Sequence, residues 1–529
     1  MSSPEPFPNS RRRVAIVGGG ISGIACSWEL RKHDCIVDIY EAEDRLGGHA
    51  NSVKFSGNGK SVDVDTGFVV MDESTYPHFH EFLMELGVRT IPTDMSFGVS
   101  TSDEAGIEWS SSSVWGFVQK LSNLFSFGFW RLVLGMIWFS IFAEDILEEP
   151  SISEDDKHCD ILVETADGLS RPARYETIGS YLRRKGYSAS FITYALIPMI
   201  ASPWCADPEE FAQTFPAKLI IQFMLEHGLL DTIMDKLSWR SFRNGSKTYV
   251  DAFQKRMSSQ HQIHLNAAVH QVVRTHDGVA LGFANGTSKC YDHVVLAIHA
   301  NQALNLLGKD ATALEHKILS SFKTTRNVCV LHSDISLLPR SPTACAAWNC
   351  FLDTNHSCAE YNSQDECFKP LCKSVSRMSV TFDINRLQGI PFPGTPDSPG
   401  RILVTMNPHR IPRFQQGSYE YYHPLISSDS VNMSHHMHMI NGVDKVSFAG
   451  AWMGFGFHED GFNAGVHAAR LFVYGFETAG KLDLFSPTKR QPKRRFCLEP
   501  ASLHSTLYIS FHINDLAPHG ISGTTDILF

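Results

Sequence analysis

The sequence is short of charge and lacks the usual marks of a secreted or nucleic-acid-binding chain. Charged residues make up only 19% of its 529 positions, and 46 Lys and Arg are outnumbered by 56 Asp and Glu, for a net charge of −10. A nucleic-acid binder needs a basic surplus, so that class is excluded as the general role of the surface. Twelve Cys in a chain of this length are too dilute for a disulfide scaffold. The opening stretch MSSPEPFPNSRRRVAIVGGG shows no signal-peptide pattern. A reducing, cytoplasmic setting with free thiols is the expectation. Also missing are a Ser-His-Asp signature, a Walker loop, a zinc-protease motif and any internal repeat. Cys345, Cys350, Cys358, Cys367 and Cys372 crowd one stretch without a C-x2-C pair. His435-His436-Met437-His438 sets consecutive imidazoles on different helix faces. No metal site is expected from either.

Apolar residues are plentiful, at 43%. The length allows about three to five domain-sized units. One run stands out. Leu121 to Ala143 is 23 residues with Arg131 as its only charge, long enough to span a bilayer. A mid-segment Arg costs roughly 2.5–3.5 kcal/mol on insertion scales, and Gly128 and Gly135 weaken helix propensity. A substrate-facing or buried helix, or one leaning on a membrane surface, is therefore preferred to a true span.

The first chemistry-bearing motif follows a short apolar run, Val14-Ala15-Ile16-Val17. Gly18-x-Gly20-x-x-Gly23 comes next, then apolar residues at helical spacing, then a second apolar run ending at Glu41, 18 residues after Gly23. Strand, glycine turn, helix, strand is a βαβ unit. Gly18 permits the tight turn, Gly20 lets a pyrophosphate approach the backbone, and Gly23 lets helix and strand pack closely. Ser22 sits inside the same loop, at a helix N-terminus that favours phosphate. Glu41 is placed to accept hydrogen bonds from an adenosine ribose. Arg45-Leu46-Gly47-Gly48-His49 adds a second glycine turn beside the first. The extra backbone amides and the Arg45 cation fit FAD better than NAD.

The second motif opens at Gly450 and holds five Gly between 450 and 465 before a helical pattern. A helix N-terminus aimed at an isoalloxazine would stabilise the negative charge that builds on reduction. His458-Glu459-Asp460 packs three ionisable groups into that turn. One of them as acid or base at the substrate side is the functional reading. The alternative is that Glu459 or Asp460 caps the helix while His458 is a hydrogen-bonded partner.

These residues resemble the flavin-containing amine oxidase superfamily, which also holds phytoene-desaturase-like enzymes. The similarity is strongest to a predicted NAD/FAD-binding branch associated with lipid-modifying enzymes. It rests on Gly47-Gly48-His49-Ala50, Val64-Asp65-Thr66-Gly67-Phe68, Asp94-Met95-Ser96-Phe97, Phe215-Pro216-Ala217, Trp348-Asn349, Asn385-Arg386-Leu387-Gln388 and Gly456 through Gly461. By that resemblance the backbone at Val269 contacts the adenine side, and Gly461 and Phe462 face the flavin. It implies an α/β fold: a discontinuous Rossmann-like FAD-binding domain (12–75, 245–300 and 441–480) with an inserted α+β substrate domain (76–244 and 301–440). Residues 1–11 read as a disordered leader. Residues 481–529 read as a C-terminal extension, whose basic cluster Lys489, Arg490, Lys493, Arg494 and Arg495 is a solvated linker or an anionic-membrane patch.

The expected function is an FAD-dependent oxidoreductase that removes hydride from a hydrophobic small molecule, by dehydrogenation, desaturation or oxidation. The aromatic middle, including Phe117, Phe129, Trp130, Trp138 and Phe142, suits an acyl chain, polyketide or isoprenoid. A redox-neutral double-bond isomerase, an amine oxidase and a non-catalytic FAD- or lipid-binding accessory are the alternatives. Membrane-surface contact through 121–143 or the basic tail is a further expectation; oligomeric state is open.

Overall fold

The computed structural model describes residues 11–102, 106–149, 175–230, 238–354, 377–480 and 482. Residues 1–10, the acidic stretch 151–160, Cys358, Cys367, Cys372 and the basic cluster 489–495 lie outside the described residues. Met1–Pro487 forms one compact unit, and Thr488–Phe529 a second that is wholly outside them.

A five-stranded parallel sheet organises the first core. Its order is His261–His264, Cys35–Tyr40, Arg12–Val17, His293–Leu296, Val446–Phe448. The pairs Val14–Val37, Val14–His293 and Val294–Val446 fix the register. Val14, Ala15, Ile16, Val294, Val295 and Leu296 are fully buried, as expected of strands covered on both faces. Because the strands are parallel, Val17, Tyr40, His264, Leu296 and Phe448 all end on one edge of the sheet. The loops that follow them, with both glycine turns, His299 and Gly450, are thereby gathered at the carboxyl edge, where open α/β sheets bind ligands.

The helix Ile21–Leu30 packs against the long helix His458–Tyr474. Gly461 and Gly465, four residues apart, make the contact. A Cβ on Gly465 would stand 2.1 Å from the Ser22 carbonyl oxygen, and one on Gly461 would stand 2.7 Å from Ile21 Cγ2.

The second core is built on a seven-stranded sheet. Its order is Gly417–Leu425, Lys323–His332, Leu403–Met406, Arg377–Asp383, Trp348–Asp353, Phe97–Thr101, Glu108–Ser110. All neighbours are antiparallel except Trp348–Asp353 with Phe97–Thr101. Short helices between Ile178 and Glu226 bring Tyr181, Phe191, Trp204, Phe211 and Phe215 into this core. The two cores cut across the boundaries expected from sequence. Phe79, Phe82 and Leu86 of the helix Pro77–Leu86 belong to the parallel-sheet core, and Phe55 and Val64 to the other.

The long apolar run is a 3-10 turn, Leu121–Phe125, and a helix, Phe127–Phe142. Of the alternatives expected for it, full burial is not what it adopts. Within 121–143 only Leu132, Phe139 and Ala143 are buried, while Phe125 is 91%, Phe127 78% and Trp138 57% exposed. Leu132 and Phe139 are seven residues apart, on one face, and Gly135 lets that face close on Phe191. One face, with Met136 and Phe129 at its margins, therefore meets the protein, while Phe127, Trp130, Leu134, Trp138 and Ile141 stay exposed. The stretch Phe127–Glu148 is long and apolar enough to cross a membrane.

Candidate flavin site

A cavity of about 1030 Å³ opens along the carboxyl edge of the parallel sheet. Its walls hold Gly18, Gly20, Ser22, Glu41, Arg45, Gly47, Gly48, His49, Val269, Gly450 and His458. The glycines of the first loop have separate physical tasks. Gly18 adopts φ +107°, and a Cβ there would stand 2.3 Å from the Ala297 carbonyl oxygen. Gly23 lies outside the cavity lining, and a Cβ there would stand 2.0 Å from the Gly18 carbonyl oxygen. Both are packing requirements. Gly20 is different: a Cβ would meet nothing within 4 Å. Its open side is the cavity.

The second glycine turn locks onto the first. Gly47 N–H donates to the Gly19 carbonyl at 2.8 Å. Arg45 donates from both terminal nitrogens to the Gly48 carbonyl at 3.1 Å and pairs with Glu43 at 3.0 Å. Arg45 thus shapes the turn as well as lining the cavity. Glu41 Oε2 accepts from Gly19 N–H at 2.7 Å and Oε1 from Glu43 N–H at 2.9 Å. Its carboxylate stands at the strand end beside Ala42, Glu43, Ala268 and Val269.

At the opposite end stand Phe68, Trp204, Tyr421, Phe457 and His458. The His458 ring stacks on Phe68, with centroids 3.5 Å apart, and its Nε2 lies 3.3 Å from the Tyr249 hydroxyl. Burial pushes its imidazolium form down to about 3, so the ring is neutral. Glu459 and Asp460 do not line this cavity. Asp460 accepts from Phe457 N–H at 2.9 Å, at the start of its own helix. Burial pushes its carboxyl up to about 7, against the opposing pull of backbone donors at Phe457, Phe455 and Gly456. Glu459 accepts from the N–H groups of His78 (3.2 Å) and Phe79 (2.9 Å) and from His78 Nδ1 at 2.7 Å. It caps the helix Pro77–Leu86. Gly461 packs on Ile21 and Ser22, and Phe462 on Phe79 and Phe82; neither lines the cavity. Sequence reasoning missed His299, Tyr421 and His423, which do. They come from a helix start and a strand without a motif, so no local spacing marked them.

The capping geometry makes a direct prediction. Glu459→Gln keeps the shape and removes the charge. Expected are a stability loss of about 1 kcal/mol, typical of a weakened cap, and a flavin reduction rate within twofold of wild type. A rate fall of tenfold or more at unchanged flavin content would return Glu459 to the chemistry.

A second prediction concerns acid. His458 is held near 3, and His261, His293, His332 and His423 near 4, by burial in each case. An unfolded chain protonates these groups near 6.5. A base whose folded pKa is depressed stabilises the fold above its unfolded pKa, and this contribution is lost as pH falls through the window from 6.5 toward 4. Asp65 and Asp460, raised by burial to about 7, act in the opposite direction between about 4 and 7. The histidines outnumber them. Denaturant midpoints should therefore fall steadily from pH 7 to pH 5, and His293→Gln should flatten that slope. A midpoint rising toward pH 5 would contradict the burial of these rings.

Comparison with known proteins agrees with this arrangement. Residues 16–86 match the NAD(P)-binding Rossmann-like domain family, and residues 196–330 the flavin containing amine oxidoreductase family. The fold matches the CLA-producing fatty acid isomerase from P. acnes, with a TM-score of 0.57 at 12% identity, over 88% of this chain and 98% of that one. It also matches cyclohexylamine oxidase from Brevibacterium oxydans, with a TM-score of 0.58 at 16% identity, over 88% and 100%. Together the two matches make the chain similar, over part of its length, to the flavin containing amine oxidoreductases. Among curated proteins it is similar to prenylcysteine oxidase 1 of Mus musculus, 30% identical over 152 residues, 28% of this chain and 27% of that protein. FAD-dependent oxidoreductase dbaF of Emericella nidulans is 45% identical over 87 residues, 16% of this chain and 17% of that one. These matches span about a quarter or less of the curated relatives' own lengths.

FAD is the cofactor that the flavin-containing family match implies, and the residues present fit it. The Ile21–Leu30 helix has no side chain capping its N-terminus, which leaves first-turn N–H groups for a pyrophosphate. Gly20 leaves room for that group, Glu41 and Val269 stand toward the adenosine end, and the cavity extends far enough to reach His458.

Proposed function

We propose that the protein removes hydride from an apolar small molecule, an acyl chain, polyketide or isoprenoid, at the His458 end of the cavity. The carrying observation is the cavity's composition: glycine turns and backbone donors at one end, and Phe68, Trp204, Phe457 and a neutral His458 at the other. Bound FAD supplies the hydride acceptor. The chain supplies the rest. The aromatic walls exclude water and hold an apolar substrate by burial. Phe68 and Tyr249 fix the His458 ring, whose neutral imidazole suits it to orient substrate through a hydrogen bond. Two of the proteins it is similar to are named for prenylcysteine and for a fatty acid, both with long apolar chains.

The test is anaerobic mixing of FAD-loaded protein with long-chain acyl, polyketide and isoprenoid candidates. Bleaching of the flavin and a product two hydrogens lighter support the reading. A redox-neutral isomerase is the second reading, favoured by the likeness in fold to the fatty acid isomerase; it gives a product of unchanged mass and a flavin that stays oxidised. Ligand binding without either outcome would leave a non-catalytic carrier.

The same proposal places the protein at a cytoplasmic membrane surface. From Trp109 to Ala143 there is no Asp or Glu, and the only cations are Lys120 and Arg131, in a chain of net charge −10. Phe125, Phe127, Trp130, Leu134, Trp138 and Ile141 are exposed there. An apolar face with basic residues suits anionic lipid. Phe129 and Leu132 of this stretch also line a second cavity, of about 640 Å³, with Trp109 and Phe117. Expected are flotation with phosphatidylglycerol vesicles, release by alkaline carbonate, and loss of at least tenfold in vesicle affinity on Leu134→Asp with Trp138→Asp. Resistance to carbonate would mean a span, and no flotation would sink the surface reading.

A further inference from the structure

The catalytic end of the cavity carries a histidine whose proton is positioned by the protein. His423, on the strand Gly417–Leu425, lines the cavity with its ring 5.5 Å from that of His49. Pro424 beside it packs against Gly456, where a Cβ would stand 2.5 Å from Pro424 Cγ. His423 is therefore held next to the Gly456-Phe457-His458 turn.

Behind the ring runs a relay of two side-chain amides. Val328 N–H donates to Asn407 Oδ1 at 3.0 Å. The Asn407 amide is thus turned with Nδ2 toward the Cys205 carbonyl at 3.4 Å and Asn327 Oδ1 at 2.6 Å. Asn327 Nδ2 in turn donates to the Thr325 carbonyl at 3.2 Å and to His423 Nδ1 at 2.9 Å. A backbone N–H only donates and a carbonyl only accepts, so the backbone at both steps sets each amide's direction. An N–H donor facing Nδ1 makes that nitrogen an acceptor, and the single proton of a neutral imidazole then sits on Nε2. Burial pushes the imidazolium form of His423 down to about 4, with the neighbouring His299 ring adding to the fall, so the neutral form persists at neutral pH. The charge partner acting on His423 is His299, and those acting on the adjacent His49 are His423, His299, His458 and Arg45, none of them an anion that would favour a second proton.

We propose that His423 is a fixed hydrogen-bond donor of the ligand cavity, aimed by the Asn407–Asn327 relay, and that the bound molecule presents a carbonyl or other acceptor oxygen to its Nε2. The assignment rests on the cavity being the place where flavin and apolar substrate meet. In a largely apolar chamber, an N–H group left without an acceptor carries a desolvation penalty. A ligand that satisfies it is discriminated from its oxygen-free analogue far more strongly than by apolar contact alone. The oxygen can belong to the flavin ring or to the substrate; Asn327 and Asn407 are positioning residues in either case.

Two measurements test this on the full-length chain. With 15N-labelled histidine, long-range proton–nitrogen correlation reads the tautomer, and the His423 signal is assigned by its loss in His423→Phe. Expected is the Nε2–H form from pH 6 to 9 in the wild type. Asn327→Asp puts an acceptor opposite Nδ1 and should place a proton there. A wild-type Nδ1–H form overturns the proposal whatever Asn327→Asp does. The second measurement titrates FAD, methyl undecyl ketone and tridecane into wild type, His423→Phe and His423→Gln. The Phe variant should lose about ten- to hundredfold in affinity for one oxygen-bearing ligand, with tridecane unchanged and most of the loss restored by Gln. A loss for FAD assigns the oxygen to the flavin; a loss for the ketone alone assigns it to the substrate. Changes under twofold for both overturn the proposal. A wild-type chain that takes up no FAD would sink the flavin reading while leaving the tautomer result standing.

Discussion

Gly20→Val is expected to give a folded chain that carries no flavin. The backbone at Gly20, φ −71° and ψ −176°, is open to any L residue, and an added Cβ meets nothing within 4 Å. Stability should change by no more than about 1 kcal/mol, the size of a substitution at a helix N-cap. The empty space is the approach path of a pyrophosphate to the first turn of Ile21–Leu30. Two γ-methyl groups there remove that approach and the hydrogen bonds that come with it. At about 1–3 kcal/mol for each charge-assisted bond lost, affinity should fall by at least about a thousandfold. Gly23→Ala is the contrast: its Cβ would lie 2.0 Å from the Gly18 carbonyl, so the fold itself should suffer. Visible absorbance of the purified proteins, read beside their denaturant midpoints, separates the two cases. Full flavin occupancy in Gly20→Val would remove this loop from the cofactor site.

The second large effect is expected at Gly465. Valine there would drive a Cβ to 2.1 Å from the Ser22 carbonyl oxygen and 3.0 Å from Ala25 Cβ. Neither is the far end of a flexible side chain, so the helices Ile21–Leu30 and His458–Tyr474 must separate. Overpacking of this kind costs about 3 kcal/mol or more. The same movement displaces the phosphate-facing N-terminus of one helix and the His458 end of the other, so flavin should be lost together with stability. A Gly465→Val protein that melts with the wild type and keeps its flavin would show that the two helices are not held by this contact.

The contrast between those glycines marks how far the sequence can be read. Gly18-x-Gly20-x-x-Gly23 between two apolar runs and ahead of Glu41 is a local pattern, and local patterns follow from covalent geometry and helix periodicity. Which glycine faces a ligand and which faces a carbonyl is already implied by the spacing. The same cannot be said of His458-Glu459-Asp460. Three adjacent residues at a helix start point in three directions, and what stands in each direction is supplied by chain far away. Phe68 and Tyr249 receive His458, the Pro77–Leu86 helix receives Glu459, and the turn itself receives Asp460. Nothing in the tripeptide says which of the three reaches the cavity.

The alternatives left open for the helix Phe127–Phe142, buried, substrate-facing or membrane-leaning, have a related cause. Composition reports how apolar a segment is, not how much protein is available to cover it. The face with Leu132, Gly135 and Phe139 meets Phe191 and its neighbours, Met136 packs on the same core, and Phe127, Trp130, Leu134, Trp138 and Ile141 stay exposed. His423 lies at the far limit. Its ring has no motif, and its tautomer depends on amides at 327 and 407.

By itself the sequence carried the α/β class, the dinucleotide loop, its fit to FAD and the resemblance to flavin-containing amine oxidases, because each rests on short-range spacing of Gly, apolar and acidic residues. Only the tertiary structure decided which side chains share the cavity, which acid became a cap, which amide faces His423 Nδ1 and which apolar face stays uncovered. Those depend on contacts between residues tens to hundreds of positions apart, and such contacts are set when the parallel sheet gathers its loops on one edge.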